Sequence, residues 1–207
     1  MIFSSSDTTT LLNIMKARRD VRGNRFTDQE IEDEKLDMIL EAGISSPSVG
    51  YSQPWKFVVI QDINIKDNIL KNFEDENDKA KEIFKDRDLY QKLKLEGIKE
   101  APINIAVLYE ESTEEVLGMT SMQQMGEYSV VCAIQNMWLM SRALNIGLGW
   151  VSILDEKKVL KELDTPKNSK LIAYLCLGYV DKFYEESELK TLGWKDEKSL
   201  QECVTFK

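Results

Sequence analysis

The sequence predicts a single α+β domain in which helices surround a central sheet. Three short runs, at positions 55–60, 103–109 and 171–179, have the β-branched and aromatic content of strands. A periodic segment at 123–145 is apolar on most sides, which indicates a buried helix. The chain has 207 residues, 43% of them hydrophobic, and this is enough for one large core. We therefore expect one domain over residues 1–207.

The N-terminal third is predicted to contain two helices and a strand. The first helix is expected to begin near Asp7 and to end at Ala17, just before a group of arginines. Residues 27–30 fit the S/T-x-x-E capping box, which predicts that a second helix opens there and ends at Gly43. The run at 55–60 is predicted to be a central strand. Residues 63–100 are strongly charged, and their pattern alone favours solvated helical segments over the core without chemistry of their own.

The C-terminal half is predicted to continue the alternation. A strand at 103–109 follows Pro102, the long helix ends at Gly147 and Gly149, and a further strand covers 149–154. A short helix at 157–163 and a last strand at 171–179 come next. Residues 181–207 form a tail whose scattered apolar residues have no face of their own. A second subunit would cover them, so the pattern favours a homodimer.

Composition excludes several classes of function. A formal net charge of −9 argues against a nucleic-acid partner. The N-terminus lacks the pattern of a signal peptide and no run of about 20 apolar residues is present, so we expect a cytoplasmic location and no membrane partner. The three cysteines are far apart, which predicts neither disulfides nor a zinc site.

The chain contains no histidine. Hydrolases of the Ser-His-Asp and Cys-His types are therefore excluded, as are the H-E-x-x-H metalloenzymes, and we expect no metal site. An enzyme without histidine uses other side chains or takes its reactivity from a cofactor. This favours flavin chemistry, in which the protein mainly binds and orients the cofactor.

A cluster of cations stands out against the acidic composition. Arg18, Arg19 and Arg22 lie within five residues of one another. The guanidinium group matches phosphate oxygens and stays charged, so the cluster favours a bound phosphate. The alternative is that the arginines cap the C-terminal end of a helix, where the macrodipole favours cations, and face solvent.

A hydroxyl-rich loop at residues 45–54 leads into the first predicted strand. Gly50 and the short side chains around it let backbone N–H groups approach a ligand, and Ser48, Ser52 and Gln53 supply further donors and acceptors. Such a loop can line a polar, planar ligand. The alternative is that the loop only connects a helix to a strand, because clusters of Ser, Pro and Gly usually form ordinary connections.

Four motifs together resemble one branch of a known superfamily. They are R-R-D-V-R at 18–22, P-S-V-G-Y-S-Q-P-W at 47–55, G-W-V-S-I at 149–153 and A-Y-L-C-L-G-Y at 173–179. Over nearly the whole chain, the sequence resembles the 5,6-dimethylbenzimidazole synthase branch of the nitroreductase superfamily. The resemblance implies a nitroreductase-like mixed sheet surrounded by helices, and a homodimer with exchanged C-terminal tails and FMN at the subunit interface. It also implies a lid over the flavin at about 63–100 and a C-terminal arm at 181–207.

Carried over position by position, the resemblance implies roles for individual residues. Asp20 and Ser152 match the positions tied to ring fragmentation, where a carboxylate could move protons and a hydroxyl could position oxygen. The alternatives are that Asp20 is an ion-pair partner that orders the arginines and that Ser152 is a strand-end hydroxyl. The implied FMN contacts are Arg18, Arg19, Asp20, Arg22, Pro47, Ser48, Gly50, Ser52, Gln53, Gly149, Trp150, Val151, Ser152 and Lys195. In the tail, only Lys195 is a reasonable phosphate ligand, because residues 195–198 mix both signs of charge.

The implied reaction is the oxygen-dependent fragmentation of reduced FMN to 5,6-dimethylbenzimidazole, the lower ligand of vitamin B12, with FMN and O2 as reactants. A second reading is a general FMN-dependent NAD(P)H reductase of nitroaromatics or quinones, in which FMN survives as a cofactor. A third, from a different class, is a flavin-binding protein without efficient turnover.

Overall fold

The computed structural model describes all residues 1–207. The helices are α1 (Ser5–Ala17), α2 (Asp33–Ile44), α3 (Ile63–Ile83), α4 (Met125–Ala143), α5 (Glu156–Glu162), α6 (Glu188–Thr191) and α7 (Leu200–Cys203). The strands are β1 (Trp55–Ile60), β2 (Ile103–Glu110), β3 (Ile146–Val151) and β4 (Ser169–Tyr179). The predicted α+β architecture is confirmed. None of the helices combines the length and the apolar content that crossing a bilayer requires.

The four strands form one sheet in the order β1-β2-β4-β3. Every neighbouring pair is antiparallel, so the sheet of this chain is not mixed. The prediction that residues 55–60 form a strand is confirmed, but the strand lies at an edge and is not central. Its sequence is largely apolar because each face has partly buried side chains: Phe57 packs against one core cluster and Val58 against the other. Lys56 and Val59 are exposed, as is compatible with an edge strand.

The sheet separates two apolar layers. One layer joins the sheet to α2 and α4 through buried residues such as Ile39, Ile134 and Met137. The other joins it to α3 and α5 through residues such as Ile69 and Val159. The long helix predicted at 123–145 is therefore confirmed as α4, with one side fully buried and the other partly accessible.

The first two helices begin at positions that differ from the prediction. The N-cap of α1 is Ser4, whose side chain forms a capping box with Asp7, so the helix starts two residues earlier than expected. The predicted capping box at 27–30 does not form, and α2 begins at Asp33. The reason is tertiary, because the N–H of Thr27 donates to the carbonyl of Tyr179 (2.8 Å) and holds this stretch extended against the end of β4.

The strand predicted at 149–154 lies at Ile146–Val151 instead. The helix before it ends at Ala143 with Leu144 as its C-cap, and Asn145 makes the turn with a φ of 58°. Gly149, expected to help end the helix, lies inside the strand because the chain at 20–21 passes directly over it. A Cβ at this position would collide with the carbonyl oxygen of Val21. Ser152 consequently follows the strand and is exposed.

The charged stretch at 63–100 is only partly a solvated excursion. Its first half is the 21-residue helix α3, which buries Ile69 and Phe73 along one stripe. Its last residues turn back into the protein, where Glu96 and Ile98 are buried. The prediction of solvated helix is confirmed for the exposed side of α3 and is wrong for residues 95–98.

Candidate functional site

The segment at 18–22 leaves the end of α1 and runs alongside β3. Asp20 forms a parallel bridge with Leu148, and the N–H of Val21 donates to the carbonyl of Leu148 at 3.1 Å. The missing side chain of Gly149 leaves room for this approach. The predicted cation cluster is thus attached to the outer edge of the sheet, and β3 determines its position.

Asp20 lies among hydrogen-bond donors at the centre of this segment. Its Oδ1 accepts from the N–H of Trp150 (3.1 Å), and its Oδ2 is ion-paired with the Arg22 guanidinium. Burial raises the pKa of the Asp20 carboxyl, although Arg22, the Trp150 N–H and Arg18 oppose the shift; the charge of Glu188 adds to it. One third of the side chain stays accessible to solvent, so the carboxyl can exchange a proton with a ligand or with water.

The three arginines are not equivalent. Arg22 is mostly buried, and besides its pairing with Asp20 it donates from Nη1 to the carbonyl of Leu95 at 3.0 Å. Arg19 donates from Nη1 to the carbonyls of Lys16 (2.8 Å) and Arg18 (2.7 Å), and from Nη2 to that of Glu185. The hydrogen bonds of these two arginines are therefore mostly made within the chain and stabilise the fold. The buried Nε of Arg19 has no partner.

Arg18 differs from both, because its guanidinium makes no hydrogen bond within the chain. It lies over the ring of Trp138, 4.7 Å from the centroid. The indole N–H of Trp138 donates to the carbonyl of Arg19 (3.1 Å), and its ring lies 6.3 Å from that of Trp150. Arg18 is thus held by stacking and keeps all its donors for a ligand. From the sequence, Trp138 was predicted only to be an apolar residue of the long helix. Its indole N–H needs an acceptor when buried, and this need could have indicated a contact with another segment.

The hydroxyl-rich loop is held in a compact and strained form. Its 3₁₀ turn, Val49–Tyr51, includes Gly50 with a φ of 54°, and Tyr51 and Gln53 also have positive φ, at 54° and 48°. The Oγ of Ser48 accepts from the N–H of Gln53 at 3.0 Å. The Oγ of Ser52 is buried without a partner. Non-glycine residues with positive φ persist only where surrounding structure imposes them, and they concentrate at functional sites.

Within one chain, the loop and the arginine cluster do not meet. The loop is attached near the start of α4, where the N–H of Val49 donates to Ser129 Oγ (3.0 Å). The cluster is attached near the other end, at Trp138 and at Arg142, whose Nε donates to the carbonyl of Ala17 (3.0 Å). Ser129 and Trp138 are nine residues apart, which is about 14 Å along a helix. The two halves of the predicted site also border opposite edges of the sheet.

The remaining predicted residues lie with one half or the other. Gly149, Trp150 and Val151 are in β3 beside the cluster, and Ser152 follows them. Pro47 precedes the 3₁₀ turn of the loop. A cleft of about 820 Å³ beside Glu111, Glu114 and Glu115 contains none of the predicted site residues, whereas an adjoining cleft of about 370 Å³ is lined by Ser52 and Gln53 of the loop.

The tail folds back onto its own chain more than the sequence suggested. Trp194 lies 5.8 Å from the ring of Phe84, with the guanidinium of Arg87 4.2 Å from its centroid. Lys195 is exposed and borders a cleft of about 530 Å³ together with Arg19. The prediction that the whole tail lacks packing in its own subunit is therefore wrong for its first half. Leu200, Val204 and Phe206 at its end remain exposed.

This fold and this sequence place the chain in a known family. A model of the nitroreductase family matches residues 15–179, and the chain belongs to that family. It is 38% identical over 198 residues to a protein of Rhodospirillum rubrum named 5,6-dimethylbenzimidazole synthase, covering 94% of this chain and 93% of the relative. It is 31% identical to a protein of the same name in Rhodobacter capsulatus, over 95% of this chain and 96% of the relative.

A solved structure supports the fold. The crystal structure of iodotyrosine deiodinase bound to FMN and 3-iodo-L-tyrosine aligns with a TM-score of 0.72 at 22% identity, covering 95% of this chain and 100% of the deiodinase chain. At this identity, the likeness establishes the common fold alone.

Proposed function

We propose that this chain binds FMN and fragments reduced FMN with O2 to 5,6-dimethylbenzimidazole. One observation carries the proposal: the arginine cluster contains Asp20, a mostly buried carboxylate whose pKa is raised by burial and which remains open to a ligand. Asp20 does pair with Arg22, as an ordering residue of a phosphate clamp would, but its burial and raised pKa also suit it to proton transfer. Relatives that share nearly the whole length of the chain carry the name of this activity.

The donors left without partners fit FMN. Arg18 has a free guanidinium, and Arg19 Nε and Ser52 Oγ are buried without hydrogen bonds, so each half of the predicted site keeps donors in reserve. A phosphate suits the cations, and the carbonyl and nitrogen edge of the flavin suits the loop. The proposed contacts on the cluster side are Arg18, Arg19, Asp20, Arg22, Gly149, Trp150, Val151, Ser152 and Lys195. Those on the loop side are Pro47, Ser48, Gly50, Ser52 and Gln53.

Reduced FMN, when bound, supplies the electrons that reduce O2 and the ring atoms that become the benzimidazole. Arg18 would bind the phosphate, and the ring of Trp138 beneath it, itself 6.3 Å from the ring of Trp150, holds the guanidinium in place. Asp20, whose side chain is one third accessible, would take up or return a proton as a general acid or base. Ser152, exposed just after β3, would supply a hydroxyl able to donate a hydrogen bond to oxygen.

A homodimer is part of the proposal, since the two halves of the site lie apart in one chain and a second copy can bring its loop to the first copy's cluster. An apolar cleft of about 450 Å³ between α1, α2 and α4 supports it, lined by Leu11, Met38 and Leu139 among others. The exposed Leu200, Val204 and Phe206 lie in the tail that the two subunits would exchange.

We also propose a cytoplasmic location, where reduced flavin is available.

The test is to supply the purified protein with reduced FMN and O2 and to analyse the products by chromatography. We expect loss of FMN and appearance of the benzimidazole. If FMN is recovered intact while NAD(P)H drives rapid reduction of a nitroaromatic, the chain is a general reductase. If FMN binds and neither reaction occurs, it is a flavin-binding protein.

A further inference from the structure

Glu96 is a buried carboxylate close to the arginine cluster. The residue is 4% exposed, although it lies in a strongly charged stretch of sequence. Its Oε2 accepts from the N–H of Ile98 (2.7 Å), and its Oε1 is paired with the ammonium of Lys94. A buried charge is costly unless it is paired and hydrogen-bonded, and both carboxylate oxygens of Glu96 have a donor.

The carboxylate folds the backbone at 94–98 into a turn that is docked on the segment after the cluster. The carbonyl of Glu96 accepts from the N–H of Gly23 at 2.8 Å. Gly97 lies so close to this segment that a Cβ there would be 2.6 Å from a ring carbon of Phe26 and 3.0 Å from the nitrogen of Gly23. The turn therefore has little freedom to shift relative to residues 22–26.

The same turn delivers a hydrogen-bond acceptor to the candidate site. The carbonyl of Leu95 receives the Arg22 guanidinium at 3.0 Å, and Arg22 is the ion-pair partner of Asp20. The Glu96 carboxylate holds the backbone at Ile98 and the side chain of Lys94, the preceding carbonyl of Leu95 binds Arg22, and Arg22 binds Asp20, so Glu96 is linked to Asp20 through the backbone and Arg22. The other charged groups that act on Asp20 are Arg18 and Glu188.

We infer that Glu96 is a positioning residue, which fixes the Leu95 carbonyl so that Arg22 keeps the Asp20 carboxylate in its reactive place. The catalytic consequence rests on the proposed function, whereas the structural link does not. The Glu96 carboxylate is bonded to Ile98 and Lys94 and not to Asp20 or to the loop. Its effect on the reaction is therefore indirect, through Arg22.

The chain offers a matched control. Lys94 also pairs with Glu100 at 2.7 Å, but the Glu100 side chain is 38% accessible and that of Glu96 only 5%. Glu96→Ala removes both acceptors from the turn. Glu96→Gln leaves one oxygen for two donors, so either the Ile98 N–H or the Lys94 ammonium faces an NH2 group. Glu100→Gln removes only the outer charge.

The first readout is hydrogen exchange in the protein without flavin. In Glu96→Ala we expect the amides of Gly23 and Ile98 to exchange about tenfold faster or more, in Glu96→Gln an intermediate change, and in Glu100→Gln rates within about twofold of wild type. Unchanged exchange of both amides in Glu96→Ala would overturn the inference, whatever the protein catalyses. If Glu96→Ala fails to fold, the comparison of Glu96→Gln with Glu100→Gln decides in the same way.

The second readout is the pH profile of product formation. Arg22 opposes the rise in the pKa of Asp20, so a displaced Arg22 lets that pKa rise further. If the carboxylate form is the reactive one, the acid limb in Glu96→Ala moves to higher pH and the maximal rate falls by about 10²-fold, as for a misplaced reacting group. The link to Asp20 would be refuted if the rate of Glu96→Ala fell by the same factor at every pH. It would also be refuted if amide exchange became faster while the pH profile of product formation stayed that of wild type. Failure of wild type to form product would refute the proposed function and leave the exchange data to judge the turn.

Discussion

Replacement of Arg18 by alanine should weaken FMN binding while leaving the protein itself almost as stable. Arg18 makes no hydrogen bond within the chain, and its one fixed contact is the stacking on Trp138 at 4.7 Å. Loss of that contact costs about 0.5–1 kcal/mol of folding free energy at an accessible site. Loss of one or two charge-assisted bonds to the phosphate costs about 1–3 kcal/mol of binding free energy. The dissociation constant should therefore rise by about 5- to 150-fold.

Titration of flavin fluorescence measures the affinity, and urea unfolding without flavin measures the stability. Arg25→Ala is a suitable control, because Arg25 pairs with Asp181 at 2.9 Å and lies outside the proposed contacts. Unlike Arg18→Ala, Arg22→Ala should also destabilise the protein without flavin, since Asp20 would lose its ion-pair partner. Equal flavin affinity in wild type and Arg18→Ala would refute the assignment of the phosphate to Arg18.

Three further predictions concern other parts of the chain. Trp138→Phe keeps the ring under Arg18 but loses the N–H donated to the Arg19 carbonyl, so urea unfolding should show a loss of about 0.5–1.5 kcal/mol, and an unchanged midpoint would contradict this. Burial lowers the pKa of Lys66, so the free-energy penalty of its ammonium is relieved as pH rises toward the ordinary lysine value; over that range the free energy of unfolding of wild type should rise relative to that of Lys66→Met, and a constant difference between the two would contradict this. Deletion of residues 182–207 should abolish the dimer in sedimentation, and a well-folded monomer of the full-length chain would refute the dimeric site.

Where a local pattern decided the structure, the sequence was a sufficient guide. The strand at Ile103–Glu110 and the helix at Met125–Ala143 lie within two residues of their predicted bounds. An apolar run with a clear period, bounded by residues that end helices or strands, favours one type of secondary structure. The predicted start of α2 was wrong because the backbone N–H of Thr27 donates a hydrogen bond to the carbonyl of Tyr179, 152 residues away in sequence. No local pattern contains that contact.

The candidate site shows the same division. The sequence predicted that residues 18–22 form a cation cluster, since three arginines within five residues lie close together in any local structure. It could not separate Arg18, which is free, from Arg19 and Arg22, whose donors serve backbone carbonyls brought in from distant segments. Glu96 was hidden for a related reason, because a glutamate in a charged run gives no sign that its own position is buried.

The most direct test of the account is product formation by Asp20→Asn under a fixed supply of reduced FMN and O2. Asparagine keeps the size of the side chain and an oxygen for the Trp150 N–H, but it cannot accept a proton. We predict that the variant still binds FMN and that its rate of benzimidazole formation, measured by chromatography, is about 10²- to 10⁴-fold below wild type. Formation of the benzimidazole at the wild-type rate by Asp20→Asn would contradict the account.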